Sequence, residues 1–196
     1  MGEYHAFTGN DPGIVSFSDE RLDFAYRFEA DFAVQYANPS GASGAGVYVG
    51  RRSWPDRGFK NESLLVFGTG ALASTSKINE PALRTFADLY WWERDENGST
   101  KTLVEKHTAW GDPKLNKVRF VKLVIDVRET EVIATIDGST TTISEQRVVK
   151  ELADVAKTRQ GFPGYDFTPP AFGSGVGICC LQSTCVVRNL TVSKLP

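Results

Sequence analysis

Residues 118–143, VRFVKLVIDVRETEVIATIDGSTTTI, carry the plainest pattern in the chain and predict three consecutive antiparallel strands. In the first, over about 118–127, Val121, Leu123, Ile125 and Val127 follow Arg119 on one alternating set. Val118, Phe120 and Val124 form the other set, interrupted by Lys122 and Asp126. A strand apolar on one face and mixed on the other belongs near the middle of a sheet. Residues 128–131 make a polar turn, residues 132–136 return, and Asp137-Gly138 signals a tight hairpin. Glycine takes positive φ without steric cost, so a primed two-residue turn matches the strand twist.

The same period of two recurs earlier. Residues 22–34, LDFAYRFEADFAV, set Leu22, Phe24, Tyr26, Phe28, Ala30, Phe32 and Val34 against Asp23, Arg27, Glu29 and Asp31, a half-buried strand. Residues 13–17 read as a short edge strand, and 46–52 and 63–68 as further strands. Residues 83–94, LRTFADLYWWER, split into Thr85, Ala87, Leu89 and Trp91 on one face and Phe86, Asp88, Tyr90 and Trp92 on the other. Asn97-Gly98 predicts a second hairpin, returning over 100–105, and 110–117 reads as a loop. The segments 38–46, 54–62 and 69–81 also read as loops.

One stretch changes period. Residues 144–158, SEQRVVKELADVAKT, predict a helix with Ser144 as N-cap, Glu145 in its first turn, and Val148, Val149, Leu152, Val155 and Ala156 at helical spacing. Residues 160–174 cannot extend it, and Phe162, Tyr165, Phe167 and Phe172 predict a loop pinned onto apolar surface. Residues 175–181 and 185–192 read as a closing hairpin. The predicted fold class is all-β: a two-sheet antiparallel sandwich with one short helix before that hairpin. No internal repeat or linker interrupts residues 1–196, which read as one domain.

Length and charge narrow the function. The 196 residues suffice for a core without staples, and a formal charge of −2 with no basic stripe argues against nucleic acid. No apolar run approaches a membrane span. The N-terminus lacks the basic and apolar regions of a signal peptide. A Met-Gly start also suits a domain excised from a larger protein. The three cysteines, Cys179, Cys180 and Cys185, form no zinc pattern with His5 and His107. Cys180 and Cys185 flank a four-residue loop close enough for a disulfide; three free thiols in a strand pair is the other reading. No cofactor is implied, calcium apart: Asp11, Asp56 and Asp112 are its candidate loop ligands.

The segment 175–195, GVGICCLQSTCVVRNLTVSKL, resembles the last two strands of concanavalin A-like lectin and glucanase jelly rolls. The VKLVIDVRETEVIATIDGSTTT hairpin and the DFAYRFEADFAV…GAGVYVGRR pair resemble earlier strands of that fold. The nearest subgroup is the laminin G-like and 3-keto-disaccharide hydrolase-like bacterial domains. The resemblance implies two curved sheets, with a concave face or rim that often binds glycans, and favours an extracellular or cell-envelope setting. Its glucanase branch carries a Glu-x-Asp-x-Glu strand. The nearest string here is Glu93-Arg94-Asp95-Glu96, which runs into a turn and splays its carboxylates.

Sugar binding needs flat aromatic faces and a few planar polar groups. Tyr48, Arg52, Trp54, Asp88, Tyr90 and Trp92 are the candidate ligand-binding residues, on one concave sheet face. The opposing reading buries these aromatics under the helix or the 162–172 loop. Trp91 reads as core and Trp110 as a loop anchor. Three function classes follow: a non-catalytic, lectin-like carbohydrate-binding module, a structural or protein-interaction jelly roll, and a glycan-active hydrolase using Asp88 with Glu93 or Arg52.

Overall fold

Alternation of apolar and polar side chains makes strands of nearly every periodic segment, and the computed structural model of the chain shows how they pair. It describes residues 4–7, 13–22, 25–37, 43–56, 58–71, 83–94, 100–115, 120–158 and 168–196. The strands are β1 (Tyr4–Phe7), β2 (Gly13–Arg21), β3 (Tyr26–Ala37), β4 (Ser43–Asp56), β5 (Phe59–Ala71), β6 (Leu83–Arg94), β7 (Thr100–Leu115), β8 (Val121–Val127), β9 (Glu131–Ile136), β10 (Ser139–Ser144), β11 (Ser174–Leu181) and β12 (Ser183–Lys194). One helix, α1 (Glu145–Thr158), follows β10. The first sheet has the order β1-β12-β3-β8-β9-β10 and the second β2-β11-β4-β5-β6-β7. All pairings are antiparallel. Two sheets in this order make a jelly-roll sandwich.

The core lies between the sheets. From the first sheet it takes Tyr26, Phe28, Ala30, Phe32 and Val34 of β3 and Val121, Leu123, Ile125 and Val127 of β8. From the second it takes Val47, Val49, Leu65, Phe67, Ala87 and Leu89. Phe28 and Ile125 are wholly buried, each worth about 1.5–3 kcal/mol of transfer free energy. β8 sits between β3 and β9, away from the sheet edges, and its buried set is the predicted one. Its other side carries Lys122 and Asp126, paired with Glu29 and Arg27 of β3.

Local chemistry sets the boundaries. Asp137 and Gly138 both have positive φ (51° and 82°), the primed turn the sequence predicts. Ser144 caps α1, its Oγ accepting a 3.2 Å hydrogen bond from the Arg147 amide. Val148 and Leu152 carry the helix into the core, whereas Val149 stays 48% exposed, so the buried stripe is narrower than the periodicity suggests. Phe172 is buried in the core, while Phe162, Tyr165 and Phe167 lie outside the described residues.

Residues 54–56 and 59–62, expected in a loop, instead end β4 and open β5, where Trp54 pairs with Asn61, and two further expectations are corrected. Residues 110–115 form no loop; they extend β7, where Trp110 pairs with Thr85. Residues 175–181 and 185–192 form no hairpin with one another. β11 pairs with β2 and β4, and β12 pairs with β1 and β3. The chain changes sheets at Gln182, in the left-handed region (φ 46°). Both strands lie inside their sheets, bonded on two sides, and so have no free edge to offer each other.

Candidate functional site

Each strand of the second sheet has a face turned away from the core. Tyr48, Leu64, Val66, Tyr90 and Cys179 form a separate apolar cluster there, with Ile14 packed against it. Strand register places Tyr48, Val66 and Asp88 in one row across β4, β5 and β6. The next rows pair Leu64 with Tyr90 and Glu62 with Trp92. Of the sequence candidates, Tyr48 and Tyr90 therefore share this face, and Asp88 and Trp92 hold matching register positions; the side chains of Asp88 and Trp92 lie outside the described set.

Arg52 and Trp54 are not brought to it. Simple alternation from Tyr48 would place them there, but the register shifts between Val49 and Arg52. Gly50 (φ 72°) sits at that shift, and its carbonyl accepts a 3.0 Å hydrogen bond from the Ala171 amide. One extra residue in a strand reverses the facing of everything after it. Arg52 is consequently exposed opposite Ser63, and Trp54 packs against the core between the sheets. Arg51 and Ser53 take their place.

The reversal builds a polar network that alternation alone does not reveal. Arg51 Nη2 lies 2.6 Å from Glu62 Oε1, and the Glu62 side chain is wholly shielded from solvent. Ser53 Oγ donates to the same oxygen at 3.3 Å, and Lys60 Nζ lies 3.2 Å from it. Arg51 Nη1 donates to Ser16 Oγ at 2.9 Å, and Tyr48 donates its phenol to that oxygen at 2.7 Å. Ser16 thus spends both acceptor positions on β4. β11 lies between β2 and β4, and the bridge works because Gly177 stands there: a Cβ would come 2.6 Å from Tyr48 Cε1.

Electrostatics fixes the protonation of the pair. Burial alone would raise the Glu62 carboxyl, but hydrogen bonds and charge from Arg51, then Lys60, more than reverse this and hold it below its ordinary 4.5. Burial works against the Arg51 guanidinium too, and Glu62 again outweighs it, so Arg51 stays charged. A carboxylate held ionised accepts hydrogen bonds; it has no proton to give at neutral pH, which disqualifies Glu62 as a general acid. The network meets solvent at Arg51, with 17% of its side chain exposed, and at Lys60, with 56%. Glu62, Arg51 and Ser16 were missed in the sequence. The signal for them is Gly50, because a lone glycine inside a strand pattern marks a bulge.

The calcium candidates stay unplaced: Asp11 lies outside the described residues, as do the side chains of Asp56 and Asp112. Among the described residues no group of three or more His, Cys, Asp or Glu side chains gathers to hold a metal, and no helix is long and apolar enough to cross a membrane.

No protein-family model matches this sequence, and no curated relative is found for it. Solved structures do resemble it. The carbohydrate-binding module CBM66 from Bacillus subtilis is 13% identical with a TM-score of 0.44, covering 98% of this chain and 92% of the module. CG-16, a homodimeric agglutinin from chicken liver, is 10% identical with a TM-score of 0.43, over 93% of this chain and all of the agglutinin. The galectin LEC-6 from Caenorhabditis elegans is 9% identical with a TM-score of 0.38, over 94% and 96% of the two chains. At such values none of them assigns a ligand to this chain.

Proposed function

We propose that the protein is a non-catalytic glycan-binding module whose recognition groups are Arg51, Ser53 and Lys60, all held in place by the buried Glu62 carboxylate. The observation carrying this reading is the Arg51–Glu62 pair on the outward sheet face, reaching solvent through Arg51 and Lys60. The buried carboxylate fixes the Arg51 guanidinium and the Lys60 ammonium, and their outward N–H groups are charged donors that suit sugar hydroxyls. Trp92, opposite Glu62 in register, supplies an aromatic residue at the same level of the sheet. The site stands at the rim of the face near the β4–β5 turn. The middle of the face is closed, since Tyr48 and Tyr90 are 0% and 5% exposed.

That closure favours a second reading, a structural or protein-interaction jelly roll whose outward aromatics are packing. A broad glycan array, run with and without calcium on wild type, Lys60→Ala and Trp92→Ala, separates the two. The first reading expects specific binding that Lys60→Ala weakens about tenfold, one interaction of roughly 1.4 kcal/mol, with the fold retained because Arg51 still pairs with Glu62. An array silent in every condition, with the folded protein, would sink it in favour of the second.

A further inference from the structure

Cys180 lies on β11 of the second sheet and Cys185 on β12 of the first, and their sulfurs are 3.0 Å apart. Both are buried in the core between the sheets, 1% and 0% exposed. Cys179, the neighbour in sequence, belongs to the apolar cluster on the opposite face of the second sheet. Alternation along β11 therefore sorts the adjacent thiols: Cys180 inward to Cys185, Cys179 outward and away.

We propose that Cys180 and Cys185 are a covalent modification site, forming a disulfide that ties the two sheets together when the chain folds with a small disulfide oxidant such as oxidised glutathione, and leaving Cys179 reduced. In the first step a thiolate of the pair attacks the oxidant; one protein–oxidant disulfide forms and one small thiol leaves. In the second the partner thiolate attacks the protein sulfur of that mixed disulfide, and the second small thiol leaves. Two protein thiols are oxidised, one oxidant disulfide is reduced to two thiols, and the protons end on the released thiols. Timing follows from burial. The hydrogen bond with Cys185, then burial, pushes the Cys180 thiol far above its ordinary range, so Cys180, once packed, holds almost no thiolate. Reaction belongs to the folding chain, before β11 and β12 close over the thiols. Once made, the bond is sealed where external thiols do not reach.

The test is to refold the full chain from denaturant in a glutathione redox buffer and map its peptides without reduction. The expected map has one bridge, Cys180–Cys185, with Cys179 alkylatable after unfolding. The oxidised form should melt roughly 5 °C above the reduced form, from the entropy removed by a short closed loop. Cys179→Ser should keep the bridge and the shift; Cys185→Ser should lose both. Three free thiols after oxidative refolding, or a bridge through Cys179, would overturn the proposal. The wild-type peptide map decides this even where a serine variant fails to fold.

Discussion

Arg51 Nη2 and Glu62 Oε1 stand 2.6 Å apart on neighbouring strands, the carboxylate wholly shielded and the guanidinium nearly so. Removing one partner of such a pair strands the other charge where water cannot reach it. Glu62→Gln keeps the shape and removes the charge; a loss of about 3 kcal/mol is expected, read by urea unfolding. The pH dependence has a definite sign. The folded carboxyl sits below its unfolded value of 4.5, so its contribution is complete above that value and is lost as pH falls through the lower folded one. Melting profiles from pH 7 to pH 3 should fall for wild type and be flatter for Glu62→Gln. Parallel profiles would show that the pair has no such role.

Gly50 decides which arginine meets Glu62. A side chain at its φ of 72° is strained, and a Cβ there would sit 3.2 Å from Ala171 and Pro170. Gly50→Ala should cost about 1–3 kcal/mol, in the range of a residue forced into the left-handed region. It should also flatten the acid dependence toward that of Glu62→Gln, because the bulge holds Arg51 in place. A destabilised variant with an unchanged acid profile would separate the bulge from the pair.

Two other glycines give a matched comparison. At Gly138 the φ is 82° and a Cβ would meet nothing within 4 Å, so Gly138→Ala should cost only the backbone term, about 1 kcal/mol. At Gly177 a Cβ would run into the Val15 carbonyl and the ring of Tyr48. Gly177→Ala should cost several times more than Gly138→Ala in chemical unfolding, and equal costs would mean that Tyr48 does not lie over Gly177 in solution.

What the sequence made legible is whatever depends on neighbours along the chain. Alternation found the buried sets of β3 and β8, Asp137-Gly138 found its turn, and Ser144 found its helix. What it hid depends on contacts remote in sequence. The bulge at Gly50 is held by Ala171, more than a hundred residues on, and without that contact simple alternation puts Arg52 and Trp54 beside Tyr48. The last two strands look like a hairpin because a short loop joins them; their true partners, β4 and β3, lie near the other end of the chain. The aromatic pattern of β6 was readable, yet periodicity alone could not tell a buried face from an open one, and Tyr90 proves buried.

The pairing of β3 with β12 also bears on how the chain is made. Arg27 lies opposite Ser193 and Asp31 opposite Arg188, so the seam of the first sheet joins residues from opposite ends of the chain. The β8–β9–β10 meander is local and closes its loops cheaply; the β3–β12 seam, like β1–β12 and β2–β11, joins residues far apart in sequence and carries a much larger loop-closure cost. On the ribosome, β3 waits with one edge unpaired until residue 194 has emerged. That edge, with its backbone N–H and C=O groups unpaired, is the point at which a nascent chain can pair with a second copy of itself, and shielding it is where a chaperone would help the yield of folded protein.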